Sequence, residues 1–302
     1  MKCLISSAEN AIAKNGKPFL KLSALTEEKK NVTLFVWQDI DKFVSNMEKF
    51  RVFDISADFE AQFPEVTSFK GLENEPFDQF VEFIYPSEDY ADALLTRLID
   101  QIKEPVLLDV VNKIFEDKEV RHKFITYPGA KGYHHAFKYG LFNHSYEALL
   151  FVSAICKSEY FGPSLNKQIA LTGALLHDIG KVDEYTFDGI AGIDYARELY
   201  LATHCSTGAE KVAVAFEKCK EVKEYSKEDS EKVEAVKHII RSHHLNQEWG
   251  AACKQPVTLE AYLVFLADYY SAAFYKGTHV EFKEELDNLG FTDKKEPFVK
   301  FW

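Results

Sequence analysis

The stretch Gln168-Ile-Ala-Leu-Thr-Gly-Ala-Leu-Leu-His-Asp-Ile-Gly-Lys181 constrains this chain more than any other. Its small and apolar residues predict a buried helix, with Gly180 as a stop just after it. His177 and Asp178 close that run. A carboxylate and an imidazole at the edge of a core are costly unless they are paired or bound to something. The fold must therefore bring other polar groups to meet them.

Residues of the right character lie on both sides. His144 shares the stripe of Leu141, Ala148, Val152 and Ile155, so a helix turns it inward. His204 precedes Ser206, read as a helix N-cap, which places the imidazole at a helix mouth. His243 continues the three- and four-residue steps of Val233, Val236 and Ile240, with His244 beside it, and Asp268 interrupts the otherwise apolar run from Thr258 to Ser271. A lone inward histidine is more often a hydrogen-bonded core residue than a ligand. Four of them with two carboxylates favour a metal centre, because each would otherwise need its own buried partner. Nitrogen and oxygen donors without thiolate suit Mn, Fe, Co or Zn.

Upstream the pattern changes. From Met1 to about Tyr85, strand-like runs alternate with turns: Leu4 and Ile5, the turn Lys14 to Lys17, then Phe19, Leu20, Leu22 and Leu25, then Thr33 to Trp37. A short helix follows at Phe43, Val44 and Met47, and a further strand at Arg51 to Ser56. The hairpin from Lys14 to Leu22 and the Trp closing the third strand resemble an OB-fold, a common platform for single-stranded nucleic acid. Phe19, Phe35 and Trp37 either fill that barrel or offer faces to bases. Pro86-Ser87 ends the pattern, and helical spacing over Tyr90–Lys103 and Val106–Phe115 continues from there.

A formal charge of -12 argues against broad, non-specific attraction to nucleic acid, while leaving a local basic groove open. Cys3, Cys156, Cys205, Cys219 and Cys253 show no metal-finger spacing, and their odd number suits reduced thiols. The opening residues are too soon interrupted for a signal peptide, and no apolar run approaches the roughly 18 residues of a membrane span. A cytoplasmic protein without a membrane partner is expected.

The order His144, His177-Asp178, Asp268 resembles the HD superfamily of metal-dependent phosphohydrolases over roughly Lys123 to Phe274, and His204 and His243 resemble the further ligands of its two-metal branch. The resemblance implies that His144, His177, Asp178 and Asp268 hold one ion and that Asp178 bridges to a second held by His204 and His243. The implied cofactor is two divalent transition-metal ions, Mn foremost, with Fe, Co or Zn open. Asp178 and Lys181 are then catalytic, Lys181 gripping a phosphate oxygen or else simply facing the helix dipole. In Tyr133-His-His-Ala-Phe-Lys-Tyr-Gly140, His134, His135 and Lys138 are expected to contact substrate, unless the loop is merely packed; His244 is a substrate contact or a ligand.

Taken with the OB-like hairpin, His134-His135 before His144, and Ser242-His-His244 followed by Thr258-Leu-Glu-Ala261, the pattern resembles the YhaM-type 3′-5′ exoribonucleases. The expected fold class is α+β in two domains: a small OB-fold-like β-barrel over 1–85, linker helices over 86–121, an all-α HD-type bundle over 122–280 and a tail over 281–302. The expected function is a metal-dependent 3′-5′ exonuclease or phosphodiesterase acting on single-stranded RNA, with DNA open. The alternatives are a phosphohydrolase of small cyclic or linear nucleotides, a nucleic-acid-binding protein with a structural metal, and a di-iron oxygenase. A homo-oligomer is left open.

Overall fold

Period-two alternation builds the N-terminal unit. The structure is a computed structural model that describes residues 1–28, 30–47, 49–50, 52–73, 84–85, 87–131, 134–187, 192–197, 201–253 and 255–279. The expected tail over 281–302 and Tyr133 lie outside these. The chain divides into two compact units, one covering Met1–Ile84 and the other beginning at Tyr85.

In the first unit, β1 (Lys2–Ile12), β2 (Pro18–Thr26), β3 (Asn31–Val36), α1 (Ile40–Met47), β4 (Val52–Ser56) and β5 (Ser68–Leu72) follow in order. The strands form an antiparallel sheet of order β3-β2-β1-β4-β5. Between β1 and β2 the chain turns at Gly16, whose φ of 81° is a left-handed position that favours glycine. Leu20, Leu22, Leu34, Val36, Phe53 and Ile55 point inward and are capped by Phe43 of α1, whose ring stacks on Phe53 at 4.9 Å.

Alternation then sends Phe19, Lys21 and Phe35 to the other face. Phe19 stacks on Trp37 at 4.6 Å and tilts against Phe35 at 5.9 Å. These three rings are half-buried and Phe63, edge-on to Phe35, is exposed. They do not fill the core.

The sheet has the strand order of an OB-fold but does not close into the expected barrel. Among the described residues, one parallel bridge, Phe35 to Glu65, links β3 to the approach of β5. Pro64 accepts from the Phe35 N–H there but has no N–H of its own to extend the ladder.

The second unit is largely helical. Its helices are α2 (Glu88–Ile99), α3 (Pro105–Phe115), α4 (Lys118–Thr126), α5 (Gly140–Cys156), α6 (Lys167–Leu176), α7 (His204–Lys220), α8 (Lys227–Ser242) and α9 (Leu259–His279). Start signals are explicit: Ser87, Asp117 and Asn166 accept from the first free N–H groups of α2, α4 and α6, and Ser226 with Asp229 forms a capping box on α8. Every residue of α6 from Ala170 to Leu176 is buried, and the helix packs against α5, α8 and α9.

The unit is not all-α. A two-stranded hairpin of β6 (Tyr185–Phe187) and β7 (Ile193–Tyr195) follows α6, built from short aromatic and β-branched runs. No helix among the described residues is long and apolar enough to cross a membrane.

Candidate metal centre

Helix α6 ends at His177, its C-cap; Asp178, at φ -104° and ψ 11°, leaves the helical path, and a 3-10 turn over Ile179–Asp183 follows. This break lets adjacent side chains face different neighbours. Gly180 makes it possible, because a Cβ there would lie 2.2 Å from the His204 carbonyl oxygen and 2.8 Å from the Gly208 nitrogen at the start of α7. Gly180→Ala is therefore expected to cost about 1–3 kcal/mol of stability by overpacking and to weaken metal binding, checked by thermal melts with and without added Mn2+; an unchanged melt would show that the two backbones can part freely.

Asp178 divides its two oxygens. Oδ2 lies 3.5 Å from both His144 Nε2 and His177 Nε2, and Oδ1 lies 3.4 Å from both His204 Nε2 and His243 Nε2. On the Oδ2 side, His144 Nε2 is also 3.2 Å from His177 Nε2 and 2.9 Å from Asp268 Oδ1. Donor atoms about 2.1 Å from a tetrahedral metal sit about 3.4 Å apart, so the spacing on both sides is that of ligand cages.

Orphaned atoms support this fit. Asp178 Oδ1, His204 Nε2 and His243 Nε2 are buried with no hydrogen-bond partner. Such atoms are costly unless an ion takes them up.

Each imidazole is held from behind. His177 Nδ1 donates to Ala174 O at 2.8 Å and His243 Nδ1 to Ile240 O at 2.7 Å. His204 Nδ1 donates to Glu184 Oε1 at 3.1 Å, and His144 Nδ1 to Ser271 Oγ at 2.9 Å. With the proton on Nδ1, a neutral ring turns its Nε2 lone pair to the centre.

The electrostatics ask for a cation. Burial alone would raise Asp178 and Asp268, yet Lys181 and His177 around the first, and His144 beside the second, hold both well below the usual carboxylate range. Burial works against charge on His243, but Cys205 and Asp178 outweigh it and raise it well above the usual imidazole range; His204 rises to about 9 against the same burial, through Cys205 and Glu184. A cluster that draws protons onto its histidines has negative charge that a divalent ion would also satisfy.

The expected substrate contacts are placed as follows. His134 lies beside the first donor set, its ring 4.8 Å from that of His144, and burial, then His144, pushes it down to about 2. His244 lies beside the second, 4.9 Å from the His204 ring, and burial, then His243, also pushes it down to about 2. Both rings are thus neutral. His135 is fully buried at φ 50°, with Nε2 3.3 Å from Glu147 Oε2. Lys138 sits over the Tyr139 ring at 5.0 Å. Lys181 is buried and donates to Asp178 Oδ2 and Gly129 O, each at 2.7 Å.

Glu184, Ser271 and Glu147, behind the cages, went unread in the sequence. Ser271 lies one helical turn beyond Asp268, and Glu147 one turn beyond His144, on the same faces; that periodicity was the available signal.

Residues 141–273 match the HD domain family. The chain is 29% identical over 278 residues to the 3′-5′ exoribonuclease YhaM of Bacillus licheniformis, covering 88% of this chain and 82% of that protein. The identity and coverage are the same for YhaM of Bacillus subtilis. With YhaM of Listeria monocytogenes it is 26% identical over 280 residues, covering 89% and 83%. No solved structure matches the chain.

Proposed function

We propose that this chain, an HD-domain metal-dependent phosphohydrolase related to the YhaM family of 3′-5′ exoribonucleases, removes nucleotides from the 3′ end of single-stranded RNA. The observation that carries the reading is one buried carboxylate, Asp178, shared between two sets of imidazoles. His144, His177, Asp178 and Asp268 would hold one divalent ion, Mn2+ foremost, and Asp178, His204 and His243 a second. Bound ions of this kind polarise a phosphoryl oxygen and lower the pKa of a coordinated water.

The chain's own residues do the rest. Lys181 keeps Asp178 ionised and fixed in place, so it acts on the carboxylate. Glu184 and the Ile240 carbonyl orient His204 and His243. Neutral His134 and His244, beside the two donor sets, offer N–H groups to the nonbridging phosphate oxygens, where charge grows in the transition state. Water adds to phosphorus, the bond to the 3′ oxygen breaks, and a nucleoside 5′-monophosphate leaves a strand ending in a 3′ hydroxyl.

Support for a strand rather than a small nucleotide comes from the outer face of the N-terminal sheet, where Phe19, Phe35 and Trp37 present rings beside Lys21. Bases stack on such a face without sequence preference. A 5′-labelled single-stranded RNA incubated with protein and Mn2+ should give a ladder shortening from the 3′ end, abolished by chelator. No shortening of the strand, alongside rapid hydrolysis of cyclic or linear mononucleotides, would replace this reading with the small-nucleotide one.

A further inference from the structure

We propose that Glu147, through Ser271, holds a proton on Nδ1 of the His144 ring and so leaves Nε2 as the atom that a metal ion can take from its hydrogen bond with Asp268. The proposal rests on the reading of His144 as a ligand and extends it to a residue that touches neither metal nor substrate.

The hydrogen bonds behind His144 run in one direction. Tyr85 O–H donates to Asn143 Oδ1 at 3.0 Å, which turns the Asn143 amide so that its Nδ2 donates to Glu147 Oε1 at 2.8 Å. Glu147 Oε2 accepts from Ser271 Oγ at 2.7 Å and faces His135 Nε2 at 3.3 Å. An ionised carboxylate can only accept, so the Ser271 hydroxyl spends its one proton on Glu147. What remains to Ser271 toward His144 Nδ1, 2.9 Å away, is a lone pair. The ring therefore donates from Nδ1, so that a metal ion replacing the hydrogen bond between Nε2 and Asp268 Oδ1, 2.9 Å apart, would meet a neutral ring whose Nε2 gives its lone pair.

One isosteric substitution reverses this order. In Glu147→Gln the fixed Asn143 amide still donates, so the Gln oxygen takes the Oε1 place and its NH2 faces Ser271. Ser271 then accepts from Gln and donates to His144 Nδ1, which moves the ring proton to Nε2, where a metal would bind. Ser271→Ala, although closer to the metal, removes the constraint without imposing the wrong tautomer. The effect of the distant residue should thus exceed that of the near one, and deleting the relay should rescue it.

Mn2+ titration of the full-length protein tests this. Glu147→Gln should weaken Mn2+ binding by about 10–100-fold, Ser271→Ala by only a few-fold, and the double variant should return to the Ser271→Ala level. Additive losses, or a Glu147→Gln no worse than Ser271→Ala, would overturn the proposal. If Glu147→Gln does not fold, soluble double variant that binds Mn2+ like Ser271→Ala supports the proposal, and a double variant that is equally unfolded counts against it. Wild-type protein that takes up no Mn2+ would instead remove the metal reading on which the proposal stands.

Discussion

Asp178→Asn should lose metal from both donor sets and at least about 10³-fold in kcat, because both cages share that carboxylate and the developing charge at phosphorus loses its counter-field. The variant has a second effect that must be separated from the first. Lys181 is buried and has Asp178 as its charged partner, so removing the charge leaves a buried ammonium with neutral acceptors such as the Gly129 carbonyl in place of a carboxylate. Breaking a buried pair in this way costs about 3–5 kcal/mol. Asp178→Asn with Lys181→Met should recover much of that stability and none of the activity. Elemental analysis on folded protein decides the matter: Asp178→Asn with wild-type metal content would refute the shared-carboxylate centre.

Replacing Phe19 and Trp37 together by alanine should raise KM for a long single strand by on the order of 10²-fold or more, since each stacked base is worth about 1–3 kcal/mol. The same protein should hydrolyse a short chromogenic phosphodiester with unchanged kcat. Both rings lie outside the sheet core, which is filled by Leu20, Leu22, Leu34 and Val36, so the unit should still fold. Equal loss on both substrates would mean that the rings serve the fold, and no loss on the long strand would mean that bases do not rest there.

Much of the centre was legible because its ligands interrupt apolar periodicity. His177-Asp178 ends a helix buried from Ala170 to Leu176, and Asp268 sits in an otherwise largely apolar α9, so each polar residue stands out against a pattern that predicts its neighbours. Glu147 and Ser271 are marked only by lying one helical turn beyond His144 and Asp268, and Glu184 by nothing; all three are ordinary surface-type residues in the sequence. Their meaning lies in contacts across the chain, such as Ser271 with Glu147, 124 residues apart.

Lys181 shows a different limit. Its position after the His-Asp pair was plain, but the choice between gripping a phosphate and holding Asp178 depends on where the 3-10 turn aims the ammonium. In the N-terminal sheet, alternation was enough to place Phe19 and Phe35 opposite Leu20 and Leu34, yet ring size alone would have put them in the core. The open barrel was beyond reach, since it turns on a single bridge beside Pro64.

His144 and Asp268, which face one another at 2.9 Å, are also 124 residues apart. A newly made chain must bring α9 back onto α5 and α6 before the donor set exists, so the last helix to be synthesised among those described completes the cage. An arriving ion therefore acts as a latch on a late, long-range docking event, adding its binding free energy to that step alone. In hydrogen exchange, amides of α9 should slow on metal addition more than those of α2, which contributes no ligand. Metal supply would then govern the lifetime of the chain against proteolysis as well as its turnover.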